Sequence, residues 1–115
     1  MLFICYSNCS NCKAIEKSLV EKNVSFEKRD IKEENPTKEE LKAWHVQSGL
    51  ELKKFFNTSG NVYRELHLKD KLQGMSEEEQ YDLLSTDGML VKRPILIVDD
   101  KVYVGPTAKA YIENI

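Results

Sequence analysis

Two short apolar runs, one near each end of the chain, predict the central strands of a sheet. Every position in residues 2–6 is apolar, and so is every position in residues 94–98. Runs without alternating polar positions are typical of strands that are covered on both faces. Asp99-Asp100 then forms a tight turn, and residues 101–104 are expected to pair back on the second run as a hairpin. The pattern therefore predicts a buried sheet with helices on both sides.

The first run leads into a helical pattern. Cys12, Ile15 and Leu19 lie on one stripe, which predicts a helix from about residue 10 to residue 22. Residues 24–30 alternate imperfectly and carry several charges, which indicates a strand at the edge of the sheet. Strand, helix and strand at this spacing form a right-handed βαβ unit.

The middle of the chain is helical in pattern. Thr37 with Glu40, and Ser76 with Glu79, have the spacing of capping boxes, in which two side chains pair with free N–H groups at the start of a helix. Turn-forming residues separate the helical stretches. Roughly residues 36–88 are therefore predicted to be an all-helical insert between the two halves of the sheet.

Together these elements predict one α/β domain over residues 1–115 with a thioredoxin-like fold. Its four-stranded mixed sheet is built from the βαβ unit and a later ββα unit. The last helix follows Gly105-Pro106, and Thr107 is the expected cap at its start.

The charge balance excludes several classes of function. The 115 residues carry 17 Lys and Arg against 19 Asp and Glu, well interspersed, for a net charge of -2. A nucleic-acid-binding face would need clustered basic residues, so no direct nucleic-acid contact is expected. No apolar run approaches the roughly 20 residues of a membrane span, and the N-terminus lacks the basic start of an export signal. Three cysteines, an odd number, do not suit a secreted disulfide scaffold, so a cytoplasmic location is expected.

The candidate chemistry lies where the first strand gives way to the helix. Cys9 is placed at the helix N-terminus, where free N–H groups and the helix dipole favour a thiolate. Lys13 adds a positive charge in the first turn. Cys12, one turn further on, is positioned to attack a mixed disulfide formed at Cys9. The spacing predicts Cys9 as the nucleophile and Cys12 as the resolving cysteine, and the alternative for Cys12 is an ordinary core residue on the apolar stripe.

A zinc site is the other use of a Cys-x-x-Cys sequence. Structural zinc needs four ligands, commonly from two such pairs. The chain has no second pair, and His45 and His67 are far from Cys9 along the chain. Redox chemistry without a bound metal or cofactor is therefore the favoured interpretation.

The second candidate feature is Arg93-Pro94, at the start of the second apolar run. A cis bond there would leave the backbone of Arg93 free to pair with an extended thiol substrate, whereas a trans proline would simply begin the strand. The Arg93 side chain either stabilises an anion near Cys9 or forms a solvated charged pair with Lys92.

Four motifs give the chain a resemblance to the ArsC/Spx family of thioredoxin-fold proteins. They are Cys9-Ser10-Asn11-Cys12-Lys13-Ala14, Asn35-Pro36-Thr37-Lys38-Glu39-Glu40-Leu41, Leu90-Val91-Lys92-Arg93-Pro94-Ile95 and Val104-Gly105. Together they span essentially the whole chain, and the basic pair before Pro-Ile is more specific to the family than Cys-x-x-Cys. Residues 53–60 are similar to the branch usually labelled arsenate-reductase-like.

The resemblance implies a thiol-dependent oxidoreductase. In glutaredoxin-coupled arsenate reductases, a cysteine that matches Cys9 attacks arsenate, and three arginines hold the oxyanion. Arg93 matches one of these arginines, while Asn57 and Gly105 stand at the other two positions and carry no charge. Each missing charged hydrogen bond is worth roughly 1.5 to 3 kcal/mol, so efficient arsenate reduction is not expected.

The expected reaction is thiol–disulfide exchange on an unidentified substrate. The resemblance implies thioredoxin, or glutathione with glutaredoxin, as the electron donor. The residues expected to bind the substrate surround the nucleophile and the proline: Asn8, Ser10, Asn11, Lys13 and Pro94.

Spx-type regulators are the alternative within the same family. They resemble this chain in having cysteines at the positions of Cys9 and Cys12 and an arginine before the proline. They use the cysteine pair as a switch and bind the C-terminal domain of the RNA polymerase alpha subunit. The resemblance therefore leaves two functions open, an oxidoreductase and a redox-switched binding protein.

Overall fold

A four-stranded mixed sheet forms the centre of the molecule. The computed structural model describes all 115 residues. The strands are β1 (Leu2–Cys5), β2 (Glu27–Asp30), β3 (Ile95–Val98) and β4 (Lys101–Val104). Their order across the sheet is β2-β1-β3-β4, with β1 parallel to β2 and antiparallel to β3, and with β3 antiparallel to β4. The predicted thioredoxin-like arrangement, βαβ followed by ββα, is confirmed.

Six helices surround this sheet. They are α1 (Ser10–Glu21), α2 (Lys38–Ser48), α3 (Asn61–Glu65), α4 (Leu68–Lys71), α5 (Glu77–Leu84) and α6 (Pro106–Glu113), with 3₁₀ turns at Leu52–Phe55, Leu72–Gly74 and Gly88–Leu90. All the elements between β2 and β3 are helical, as the sequence predicts for this part of the chain. None of the helices combines the length and the apolar character that crossing a membrane requires.

The two faces of the sheet pack against different helices. Phe3 on β1 is fully buried in a cluster with residues of α1 and α6, and its neighbour Ile4 is fully buried in a larger cluster with residues of the insert. Successive side chains of a strand point to opposite faces, so a strand covered on both sides must be apolar throughout. The uninterrupted apolar run in the first strand has this origin.

Two details of the predicted elements are wrong. The second strand was expected over residues 24–30, but pairing with β1 begins at Glu27, opposite Leu2. Phe26 instead packs edge-on against Phe3, with ring centroids 5.8 Å apart. The strand does lie at the edge of the sheet, as its charge predicts.

The second correction concerns the start of α6. Gly105 is the residue before the helix, and Pro106 takes its first position, which suits the fixed backbone angle of proline. Thr107 is therefore inside the helix, and its hydroxyl bonds to the N–H and the carbonyl of Val104 at 2.8 and 2.9 Å. The capping boxes of α2 and α5 are both present as predicted.

Asp30 joins the end of β2 to the turn that carries the cysteine motif. Its carboxylate accepts a hydrogen bond of 2.6 Å from the Ser7 hydroxyl, and bonds of 2.8 and 3.1 Å from the N–H groups of Lys32 and Glu33. Together these donors lower the pKa of Asp30 to about 2, and the hydrogen bond from Ser7 contributes most to this shift. Burial acts in the opposite direction but is outweighed. The ionised carboxylate thus fixes the turn against the sheet.

We expect this contact to make folding stability pH-dependent in acid. Because the pKa of Asp30 is lower in the folded than in the unfolded chain, its stabilisation is complete above about pH 4 and is lost as the pH falls towards 2. Urea unfolding between pH 2 and 5 should show a steeper loss of unfolding free energy for the wild type than for Asp30→Asn. Asp100→Asn, at an exposed turn, is the matched control and should retain the wild-type slope. Equal slopes for Asp30→Asn and the wild type would contradict this account.

Candidate active site

Cys9 lies at the start of α1. It is the residue before the first turn, with extended backbone angles (φ -91°, ψ 121°), and its N–H bonds to the carbonyl of Tyr6 at 3.0 Å. The thiol is free and partly exposed. The predicted position of the cysteine at a helix N-terminus is therefore confirmed.

The surroundings of Cys9 favour its thiolate. Burial is the largest single influence on the pKa of the Cys9 thiol, and it raises that pKa. The other influences all lower it and together outweigh burial, so the pKa of Cys9 lies below its ordinary value. These are hydrogen bonds from the N–H groups of Cys12 and Asn11, together with the hydrogen bond and positive charge of the Arg93 guanidinium. Thiolate is the reactive form in disulfide exchange, so the site increases the reactive fraction at neutral pH.

Arg93 is the charged side chain that lowers the pKa of Cys9. Its guanidinium carbon lies 5.4 Å from the centre of the Tyr6 ring, which supports one face of the group. Two of its nitrogens, Nε and Nη1, are buried and have no hydrogen-bond partner. Buried donors of this kind are normally satisfied, so Arg93 offers unused hydrogen bonds to an anionic group in the site.

The backbone around Arg93 is held by neighbouring segments. The N–H of Lys92 bonds to the carbonyl of Phe55 at 2.7 Å, and the N–H of Gly105 bonds to the carbonyl of Pro94 at 2.8 Å. The Arg93–Pro94 peptide bond is cis, one of the two alternatives that the sequence left open. Arg93 is thus fixed between the insert and the start of α6.

A polar cleft of about 500 Å³ opens beside Cys9. Both Cys9 and Arg93 line it, and the insert supplies most of the opposite wall. The complete lining is Cys9, Asn11, Asn57, Ser59, Gly60, Asn61, Val62, Met89, Lys92 and Arg93. The Cys9 thiol and two cationic side chains, Lys92 and Arg93, therefore share one open cavity.

The residues predicted to bind substrate separate into two groups. Asn11 lines the cleft with Cys9. Asn8, Ser10 and Lys13 are exposed and lie outside the cleft lining, and the amide of Asn8 is 3.4 Å from the Tyr6 hydroxyl. Pro94 is buried beneath the site and does not line the cleft. The structure therefore brings Asn11 to Cys9, whereas the other four predicted binding residues lie outside the cavity.

The pairing of Cys12 differs from the expected one. Cys12 forms a disulfide with Cys5, with Cα atoms 5.9 Å apart, and Cys9 remains free. Both bonded cysteines are almost fully buried, at 1% and 3% exposure, in the cluster between the sheet and α1. Cys5 points to this face from β1, and Cys12 points to it from the apolar stripe of α1. In this structure Cys12 is therefore bonded to Cys5, and the predicted exchange between Cys9 and Cys12 stays a prediction.

The family resemblance matched Asn57 to an arginine position, but three other parts of the site were not found from the sequence: residues 59–62, Met89 and Cys5. Asn57 and its neighbours reach the cleft because Phe56 and Val91 form an isolated β-bridge, and the N–H of Asn57 bonds to the carbonyl of Leu90 at 2.7 Å. Met89 enters the lining from the final turn of the insert. Cys5 is seen in the sequence only as one position of the apolar run at residues 2–6. The available signal for residues 59–62 was the cluster of small polar residues at 57–61, which is unusual inside a helical insert.

The side-chain arrangement gives no support to the zinc alternative. No three His, Cys, Asp or Glu side chains come together in a way that could hold a metal ion. Structural zinc needs four such ligands.

Comparison with known proteins assigns the family. The protein-family model of the ArsC family matches residues 5–114. The chain belongs to the ArsC family. Its resemblance to arsenate-reductase-like proteins, first given by four short motifs, thus extends across nearly all of the fold.

Individual relatives agree with this assignment. YusI of Bacillus subtilis (strain 168), an uncharacterized protein, is 49% identical over 114 residues, which are 99% of this chain and 97% of YusI. The crystal structure of an ArsC-family-related protein from Bacteroides fragilis is 50% identical, with a TM-score of 0.91 over 97% of this chain and 94% of that one. The regulatory protein MgsR of Bacillus subtilis (strain 168) is 27% identical over 105 residues, which are 91% of this chain and 82% of MgsR.

Proposed function

We propose that this ArsC-family protein is a thiol–disulfide oxidoreductase of a reducing, cytoplasmic environment, with Cys9 as its nucleophile. The observation that carries the proposal is the free, partly exposed Cys9 thiol with a lowered pKa at the mouth of a cleft. A structural cysteine needs neither the exposure nor the stabilised thiolate.

The proposed reaction proceeds by thiolate exchange. Cys9 attacks one sulfur of a substrate disulfide, so that a mixed disulfide forms and the second substrate sulfur leaves as a thiolate. A second thiol then attacks Cys9 and releases the remaining half of the substrate, reduced. The reduced Cys12 provides this thiol inside the protein, and thioredoxin or glutathione with glutaredoxin returns the protein to its dithiol form. Each turnover thus moves two electrons from the external thiol to the substrate.

The cleft suits an anionic disulfide substrate better than arsenate. One guanidinium, that of Arg93, lines the cavity, and Asn57 supplies a neutral amide at a position where the related reductases have an arginine. At the third position, Gly105 is covered by the aliphatic chain of Lys92. Lys92 and Arg93 together can bind a carboxylate of glutathione or of an acidic peptide, which needs fewer charged contacts than a tetrahedral dianion.

A comparison of substrates tests this function. Turnover is measured with thioredoxin and its reductase, and separately with glutathione and glutaredoxin, against a glutathionylated peptide, a peptide disulfide and arsenate. We expect turnover of the glutathionylated peptide or the peptide disulfide with at least one donor, and background rates with arsenate. Background rates for all three substrates with both donors would refute the proposal, and preferential arsenate reduction would refute the substrate class.

The contribution of Arg93 gives a separate prediction. Removal of its hydrogen bond and charge in Arg93→Ala should raise the pKa of Cys9 and slow alkylation of Cys9 by iodoacetamide several-fold at pH 7. Arg93→Lys retains the charge and should fall between this variant and the wild type. Lys17→Ala removes an exposed positive charge further along α1 and should leave the pH profile of alkylation unchanged. An unchanged profile for Arg93→Ala would show that the backbone N–H groups alone stabilise the thiolate.

Similarity to MgsR favours a second candidate function, that of a redox-switched regulator. In this case the protein would bind the C-terminal domain of the RNA polymerase alpha subunit, as the resemblance to Spx-type regulators implies. Titration of the oxidised and the reduced protein with that domain tests it. Absence of binding in both states would remove the regulator from consideration.

A further inference from the structure

The three cysteine side chains lie at increasing depth between the surface of the protein and its core. Cys9 is partly exposed at the cleft and packs against the apolar cluster that contains Cys5 and Cys12. Cys12 lies one helical turn further along α1 and is 3% exposed, while Cys5 lies on β1 beneath it and is 1% exposed. Cys12 is therefore the middle member, within one turn of Cys9 and bonded to Cys5.

We infer that Cys5 is a third redox thiol, which takes over the disulfide first formed between Cys9 and Cys12 and stores it in the core. This inference rests on the proposed thiol–disulfide function and adds to it a residue outside the Cys-x-x-Cys motif. Cys5 faces Cys12 across the contact between sheet and helix, and no other element separates them.

The transfer balances as one exchange step. After substrate reduction, Cys9 and Cys12 are joined by a disulfide and Cys5 is a thiol. The Cys5 thiol attacks the Cys12 sulfur, the Cys5–Cys12 bond forms, the Cys9–Cys12 bond breaks, and the proton of Cys5 passes to the leaving Cys9 sulfur, which exchanges it with solvent at the cleft. No electrons enter or leave the protein in this step, because one disulfide replaces another.

The environments of the three sulfurs favour the transfer. A sulfur with a low pKa is a good leaving group in exchange, and the N–H groups and Arg93 that surround Cys9 stabilise it as it leaves. The new disulfide is uncharged and lies among apolar side chains, where neither sulfur needs solvation.

Two consequences distinguish this relay from a simple two-cysteine site. The oxidised protein keeps a free, reactive Cys9, as the structure has it. The stored disulfide is buried, so an external reductant reaches it only after Cys9 attacks Cys12 and brings the bond back to the surface. Cys9 therefore controls both the formation and the reduction of the core disulfide.

Mapping of the disulfide in the oxidised protein tests the relay. The full-length reduced protein is oxidised with glutathione disulfide, quenched in acid, unfolded, alkylated and digested with chymotrypsin, which separates Cys5 from the other two cysteines after Tyr6. We expect a cross-linked Cys5–Cys12 pair with the alkyl label on Cys9. In Cys5→Ala the expected bond is Cys9–Cys12. In Cys9→Ser, formation of the Cys5–Cys12 bond should slow by at least about tenfold, because direct attack on a buried thiol replaces the relay.

The outcomes separate this inference from the proposed function. A wild-type protein that stops at Cys9–Cys12, with the label on Cys5, would overturn the relay and leave the oxidoreductase function standing. Formation of Cys5–Cys12 at the wild-type rate in Cys9→Ser would also overturn the relay. If Cys9 of the Cys5→Ala variant forms neither a mixed nor an internal disulfide, both proposals fail. The wild-type map does not depend on any substitution, so a variant that folds poorly does not affect it.

Discussion

Replacement of Cys9 by serine is expected to reduce thiol-dependent turnover by on the order of 10³-fold or more, to the background rate. A serine hydroxyl is not ionised at neutral pH and cannot form a disulfide, so the first step of the proposed reaction is lost. The fold should remain, because Cys9 is partly exposed and makes no disulfide. Turnover is measured with the donor and substrate pair that gives the highest wild-type rate.

The control for this variant lies about two and a half turns further along α1. Ser18→Ala changes a residue of the same helix, whose hydroxyl bonds only to the carbonyl of Ala14, at 3.3 Å. It should retain wild-type turnover. Circular dichroism and urea unfolding establish that both variants are folded. Turnover that persists in folded Cys9→Ser would remove Cys9 from the reaction and end the assignment.

The position of Cys9 was predictable because its determinants are local. The helix N-terminus is fixed within one or two residues by three local signals: the end of a strand, a two-residue turn and a helical stripe. In the structure the helix starts at Ser10. The capping boxes of α2 and α5 are local signals of the same kind. Such features depend on neighbours within four residues, which the sequence displays directly.

The Cys5–Cys12 bond was not predictable in the same way. Alternation along β1 places Cys5 on the same face as Phe3, and the stripe of α1 places Cys12 towards the sheet. Neither pattern determines how far α1 is shifted along β1, and a shift of one turn, about 5.4 Å, would separate the two sulfurs. The spacing of Cys9 and Cys12 is visible in the chain, so it directed attention to that pair and away from Cys5.

The wall of the cleft has a similar explanation. Asn57 and Arg93 are far apart in the sequence and are brought together by the single bridge between Phe56 and Val91. A bridge of one residue pair leaves no alternating pattern that could be recognised. Family motifs identified Asn57 as a position of interest through its resemblance to an arginine site, and the structure places it in the same cavity as Cys9.

The largest expected effect on stability comes from Gly88, at the junction between the insert and the sheet. Gly88 is buried, and a Cβ atom at this position would overlap the carbonyl group of Ile31, just after β2. The obstructing atoms belong to the backbone, and the N–H of Ile31 is itself bonded to the carbonyl of Cys5 at 2.9 Å. The clash therefore cannot be relieved by rotation of a side chain.

We expect Gly88→Ala to lower the free energy of unfolding by about 3 kcal/mol, the upper part of the usual range for overpacking. Gly74→Ala is the matched control, since Gly74 is exposed and a Cβ there would meet no atom within 4 Å. It should change the free energy by less than about 0.5 kcal/mol. Urea unfolding at pH 7 measures both variants. Equal stability of the two would mean that the insert can move away from the end of β2 at little cost. In that case the position of Met89 in the lining of the cleft would not depend on the contact between Gly88 and Ile31.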